Sequence, residues 1–249
     1  MTIPAEFLTF AAVGALAQLV DGALGMAYGV ASAAMLLGLG VPPVTATASV
    51  HQAEAFTCGA SGFSHWVAGN VRWPLFWVLA IPGVIGAVIG AAVVVHVPAE
   101  WMRLALTPYL LGMGVFLLMR GALGRPPGPD VPRGTPVLGL GAGFADAVAG
   151  GGWSALTVTT LVARGATPRM VIGTVHLAKC VVSIAASVSF LLMIGLSHGT
   201  AVLGLIAGGV VAAPVGAIFA RRMPARVATV LAAIAVLGLG VNNVVKAFG

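Results

Sequence analysis

Six ionisable side chains stand inside sequence that is otherwise almost entirely hydrocarbon: Asp21, His51, Glu54, Asp146, His176 and Lys179. They form three pairs 125 positions apart, Asp21 with Asp146, His51 with His176, and Glu54 with Lys179, the last opposite in sign. The two acids are set among glycines, in QLVDGALGMAYG from 18 to 29 and in GFADAVAGGGWS from 143 to 154. An acid in apolar surroundings costs about 2.5–3.5 kcal/mol on membrane-insertion scales, so each must be capped or functional. Capping is one reading, because an Asp just ahead of a helix accepts its free N–H groups and suits its positive dipole end. The other is an anion site, in which two helix N-termini meet and glycines let the backbone approach the ligand. The candidates for such a site are Asp21, Gly22, Gly25, Met26 and Tyr28 in the first stretch and Asp146, Gly150, Gly151 and Gly152 in the second.

His51 and His176 are added to that set because imidazole exchanges protons near neutral pH, although a lone buried histidine is commonly just hydrogen-bonded. Glu54 and Lys179 follow the histidines by three residues, nearly on the same helix face. An ion pair between them at the junction of the two halves is the structural reading, and a coupling or gating pair is the functional one. Cys58 and Cys180 lie in apolar segments without metal-ligand spacing, which suits small buried side chains.

The elements that hold these residues belong to a membrane. Of 249 residues 59% are hydrophobic and only 7% charged, with a mean hydropathy of +1.08, far from soluble composition. Apolar segments read at roughly 5–20, 24–40, 44–63, 74–95, 102–119, 136–149, 152–163, 170–194, 199–220 and 227–245. Several approach the ~20 residues needed to span a bilayer as helix, and the alternation of a strand barrel is absent. The net charge of +6 comes from basic residues scattered at segment ends, so nucleic acid is not an expected partner. No Lys or Arg precedes Arg72, so the first segment is expected to be a retained membrane helix rather than a signal peptide.

The 125-residue spacing continues through Gly40 with Gly165 and Pro43 with Pro168, and, after one insertion, Pro98 with Pro224. The expected fold is therefore an all-α integral membrane protein of two repeats, 1–122 and 136–249, joined by a cytoplasmic linker at 123–135. Each repeat is read as a broken, re-entrant helical hairpin plus three transmembrane helices. With that count, Arg72, Arg120, Arg125, Arg133, Arg164, Arg169, Arg221, Arg222 and Arg226 fall on one face, and Arg103 and Lys246 on the other. Three crossings per half make the repeats inverted and put both termini outside, a transporter signature.

QLVDGALGMAYGV at 18–30, GVPPVTATASVHQAE at 40–54, SGFSHWVAGNV at 61–71 and GGGWSALTV at 150–158 together resemble the TauE/SafE family of sulfite and organosulfonate exporters. The resemblance covers essentially the whole chain. It implies a multi-pass transporter of the cell inner membrane for a small sulfur oxyanion such as sulfite or sulfoacetate. The bilayer is its setting, protons are possible partners, and no cofactor or metal is expected. Proton-coupled uptake is the nearest alternative. A membrane enzyme with His51 and His176 on a haem or metal is a remoter one, since no third ligand lies at useful spacing and no nucleotide-binding or hydrolase motif is present.

Overall fold

The computed structural model describes residues 5–24, 28–98, 131–164, 166, 168–195 and 199–222, with isolated helical positions between 108 and 119 and between 234 and 244. The expected segments 102–119 and 227–245 therefore lie essentially outside the described residues. So do most of the linker, Gly25, Met26 and Pro224.

Among the described residues the protein is all helix: α1 Ala5–Leu24, α2 Tyr28–Gly38, α3 Pro43–Val67, α4 Trp73–His96, α5 Thr135–Ala149, α6 Trp153–Ala163, α7 Pro168–Ile194 and α8 Gly199–Arg222. Local chemistry sets several of the ends. Pro follows directly on the first residue of α4 and α5, where its missing N–H costs nothing. Gly150 ends α5 in the left-handed conformation (φ 72°), which a side chain would strain. α1 reaches four residues beyond the sequence expectation, so Asp21 and Gly22 sit in its last turn rather than in a loop.

Two helices, α4 and the Met170–Ile194 stretch of α7, are long and apolar enough to cross a membrane. The 24 residues of α4 extend about 36 Å. Ala5–Leu19, α2, α5 and Gly199–Ala212 are shorter apolar helices. The distribution of side chains is the reverse of a soluble protein's. Trp77, Ile81, Ile85 and Val88 form an exposed apolar ridge along α4, and Ile184, Val188 and Leu192 do the same on α7, while Glu54 and Asp146 are fully buried. A ridge of that kind is stable against lipid and a liability in water.

Packing is by close helix pairs: α1 on α8, α4 on α5, α3 on α7, α4 on α7 and α3 on α8. Small residues make the approaches possible, as expected where apolar burial alone does not favour association. A Cβ at Gly14 would run into the Leu205 backbone, and one at Gly139 into the Leu79 backbone. The two aromatic residues that open the short helices use the same device: Trp153 packs its indole on Gly83, and Tyr28 packs its ring on Gly209. The apolar core accordingly divides in two, one part built on α4–α7 and the other on α1, α2, α3 and α8.

Candidate functional site

The described part of α1 ends at Leu24 and α2 begins at Tyr28, as α5 ends at Ala149 and α6 begins at Trp153, and in each case the acid in the earlier helix reaches the start of the later one. The Tyr28 amide donates to Asp21 Oδ1 at 3.1 Å, and the Trp153 amide donates to Asp146 Oδ1 at 2.7 Å. Both carboxylates therefore cap the N-terminus of a short helix, seven residues ahead, where the macrodipole is positive. The aromatic residues are anchored in turn. Tyr28 Oη donates to the Leu205 carbonyl at 3.1 Å, and Trp153 Nε1 to the Val175 carbonyl at 3.2 Å.

The start of α2 meets the glycines between α5 and α6. A Cβ at Gly151 would collide with the main chain of Gly29 and Val30, and one at Gly29 with Glu54 and with the main chain of Gly150 and Gly151. Gly150 lies against Ala33 and Thr47. Only glycine permits this spacing of backbones. Gly150 and Gly151 are thus brought to α2, Gly152 follows them ahead of α6, and Gly22 sits in the last turn of α1; Gly25 and Met26 lie outside the described residues.

Beside this junction is a buried ionic cluster from three helices. Lys179 Nζ of α7 donates to Glu54 Oε1 of α3 at 2.5 Å and stands 4.0 Å from Asp146 Oδ1 of α5. His51 of α3 donates from Nε2 to the Asp146 carbonyl at 3.0 Å, since a carbonyl can only accept. Gly151 N–H donates to the same carbonyl at 3.1 Å. The His51 ring turns Nδ1 towards Glu54 Oε2 (3.6 Å) and Asp146 Oδ2 (3.8 Å), and Phe190 stacks on it at 6.1 Å. Burying four ionisable groups together is tolerable only because attraction and hydrogen bonds offset lost hydration.

His176 is placed differently from its sequence counterpart. Its Nδ1 bonds to Ser61 Oγ at 2.8 Å and its ring meets His65 edge-on at 5.8 Å. His51 thus faces the carboxylates of Glu54 and Asp146, whereas His176 faces Ser61 and His65. Ser61 and Phe190 are contributors that sequence reading missed; neither has an unusual residue type or a spacing to flag it. Cys58 and Cys180 are free thiols, and Cys180 Sγ points to the Ala55 carbonyl at 3.7 Å.

The family model "Sulfite exporter TauE/SafE" matches residues 10–243. The chain is similar to the probable membrane transporter protein YtnM of Bacillus subtilis (strain 168), with 41% identity over 221 residues, 85% of this chain and 74% of that protein. No solved structure matches the chain.

Proposed function

We propose, from the premise that this chain belongs to the sulfite exporter TauE/SafE family, that it is a multi-pass inner-membrane carrier moving a small sulfur oxyanion by alternating access. That the protein is a membrane transporter follows from the family and from its relative. The substrate class, sulfite or an organosulfonate such as sulfoacetate, is the proposal's own step, as is export for the direction. The observation that carries it is the meeting of two capped helix starts at Gly29 and Gly151. Two positive dipole ends and a glycine backbone suit an oxyanion. Asp21, Gly22, Gly25, Met26, Tyr28, His51, Asp146, Gly150, Gly151, Gly152 and His176 are the residues around its path, with Glu54 and Lys179 as the coupling or gating pair.

The architecture proposed for this carrier is two inverted repeats, 1–122 and 136–249, joined by a cytoplasmic linker at 123–135. Support comes from contacts that survive exchange of the halves. The α1–α8 pair matches α5–α4, and α3–α8 matches α7–α4, while α3–α7 maps onto itself. The aspartate caps, the Tyr28–Gly209 and Trp153–Gly83 packings, and the Gly14–Leu205 and Gly139–Leu79 approaches exchange in the same way.

Two measurements test the reading. Purified protein in liposomes is expected to transport sulfite or sulfoacetate above empty vesicles and above a panel of chloride, phosphate and acetate; equal flux of all would remove the sulfur-anion assignment. For topology, cysteines at Val131 and Pro98, in a Cys58→Ala/Cys180→Ala background, are treated in intact cells with an impermeant thiol reagent. Position 98 is expected to react and position 131 to resist, because α4 carries the chain away from the Arg72 face to position 98 and the expected crossing at 102–119 carries it back. Labelling of both, or of neither, contradicts the assigned sides.

A further inference from the structure

The buried cluster has more negative charge than the residues around it neutralise, and its loose ends converge. One oxygen of each carboxylate is engaged, Glu54 Oε1 by Lys179 and Asp146 Oδ1 by the Trp153 amide. The second oxygens, Glu54 Oε2 and Asp146 Oδ2, have no hydrogen-bond partner, and neither has His51 Nδ1, although all three residues are 0% exposed. All three atoms face one another. The separations of 3.6 and 3.8 Å from the ring nitrogen are too long for hydrogen bonds. They do match donors sharing one small cation: at a bond length of ~2.4 Å, ordinary coordination angles separate two ligands by ~3.4–3.9 Å. His51, Glu54 and Asp146 each offer an atom within 4.8 Å of the others.

Two further features point the same way. The Nε2–H of His51 is committed to the Asp146 carbonyl, so the neutral ring presents a lone pair at Nδ1. A histidine that gives its other N–H to a backbone carbonyl has the ordinary outer-shell arrangement of a cation ligand. Asp146 also lies in the last turn of α5, where the helix dipole is negative.

We propose that His51 Nδ1, Glu54 Oε2 and Asp146 Oδ2 form a binding site for one monovalent metal cation, with Na+ as the ion to test. Valence follows from charge. Glu54 and Asp146 bring two negative charges and Lys179 one positive, so a single positive charge closes the balance in a site without water contact, whereas a divalent ion would overshoot it. Sequence register shows why the counterpart positions do not repeat the site: where a second carboxylate would be needed stands Lys179, an ammonium with no lone pair to offer a cation. The bound cation holds α3 and α5 together beside the junction at Gly29 and Gly151. Its binding is independent of the transport reading, and its effect on flux rests on it.

The test uses the full-length protein in detergent and in liposomes. Replacing choline by Na+ at 150 mM is expected to raise the unfolding temperature by a few degrees, with K+ giving less, and Glu54→Gln is expected to abolish the increment while the protein remains folded. Flux of sulfite or sulfoacetate is expected to fall at least about tenfold when Na+ is replaced by choline on both sides. An unfolding temperature and a flux that are both indifferent to Na+ overturn the proposal. So does a flux that acid alone restores in choline, or a stoichiometric divalent metal found by elemental analysis. A Na+-dependent unfolding temperature with no sulfur-anion flux leaves the cation site standing and removes the substrate assignment instead.

Discussion

A membrane potential of 100 mV, negative on the loaded side, is expected to drive a sulfur monoanion to roughly fiftyfold accumulation on the other side of proteoliposomes at equal pH. One charge moved fully across 100 mV corresponds to about 2.3 kcal/mol, and about 1.4 kcal/mol is a factor of ten in concentration. With the cytoplasm negative this favours exit, so export needs no second ion to accompany the anion. The ionic cluster is consistent with that economy, because its fixed groups and the proposed cation are neutral together and need not change as the anion passes. Efflux measured with a potassium–valinomycin potential of either sign decides the matter. Accumulation that does not follow the sign of the potential means that a positive charge crosses with each anion, and inward accumulation driven only by an acid exterior means proton-coupled uptake.

Replacing Lys179 with Met is expected to destabilise the protein by about 3–5 kcal/mol, the range for breaking a buried pair from one side. The ammonium is the nearest positive charge to Glu54, at 2.5 Å, and lies 4.0 Å from Asp146. Without it two fully buried carboxylates share a space closed to water. The double variant Lys179→Met/Glu54→Gln removes one charge of each sign. It is expected to recover most of the lost stability, since the penalty lies in the orphaned charge more than in the missing bond. Thermal unfolding of the single and double variants in detergent gives the comparison. A double variant no more stable than Lys179→Met would mean that Lys179 acts through packing, and the account of the cluster as an electrostatic unit would fail. Transport in the double variant is expected to stay impaired, which separates the role of the pair in the carrier from its role in holding α3 against α7.

Much of this architecture is local chemistry and is therefore legible in the amino-acid order. Proline at helix starts, glycine at the end of α5 and long apolar runs set the eight helices of the described residues close to where sequence reading put them. The aspartate caps are local as well: Asp21 and Asp146 each reach a helix start only seven residues on, so residue type and spacing suffice to name the partner. The pairing of Glu54 with Lys179 was legible for a different reason. Opposite charges standing alone in two otherwise apolar segments have few other ways to be buried.

What local chemistry cannot decide is which equivalent positions meet. His51 and His176 occupy the same register, yet one faces two carboxylates and the other Ser61 and His65. That difference arises from α3, α5 and α7 converging on one point, and it depends on backbone approaches at Gly29, Gly83, Gly139 and Gly151 that span the two halves of the chain. Composition and spacing determined a helical membrane protein with an acid in each of two glycine-rich stretches. The gathering of His51, Glu54, Asp146 and Lys179 into one buried cluster was decided by tertiary packing, because contacts between residues some 95 to 125 positions apart are set by helix geometry and leave no local trace.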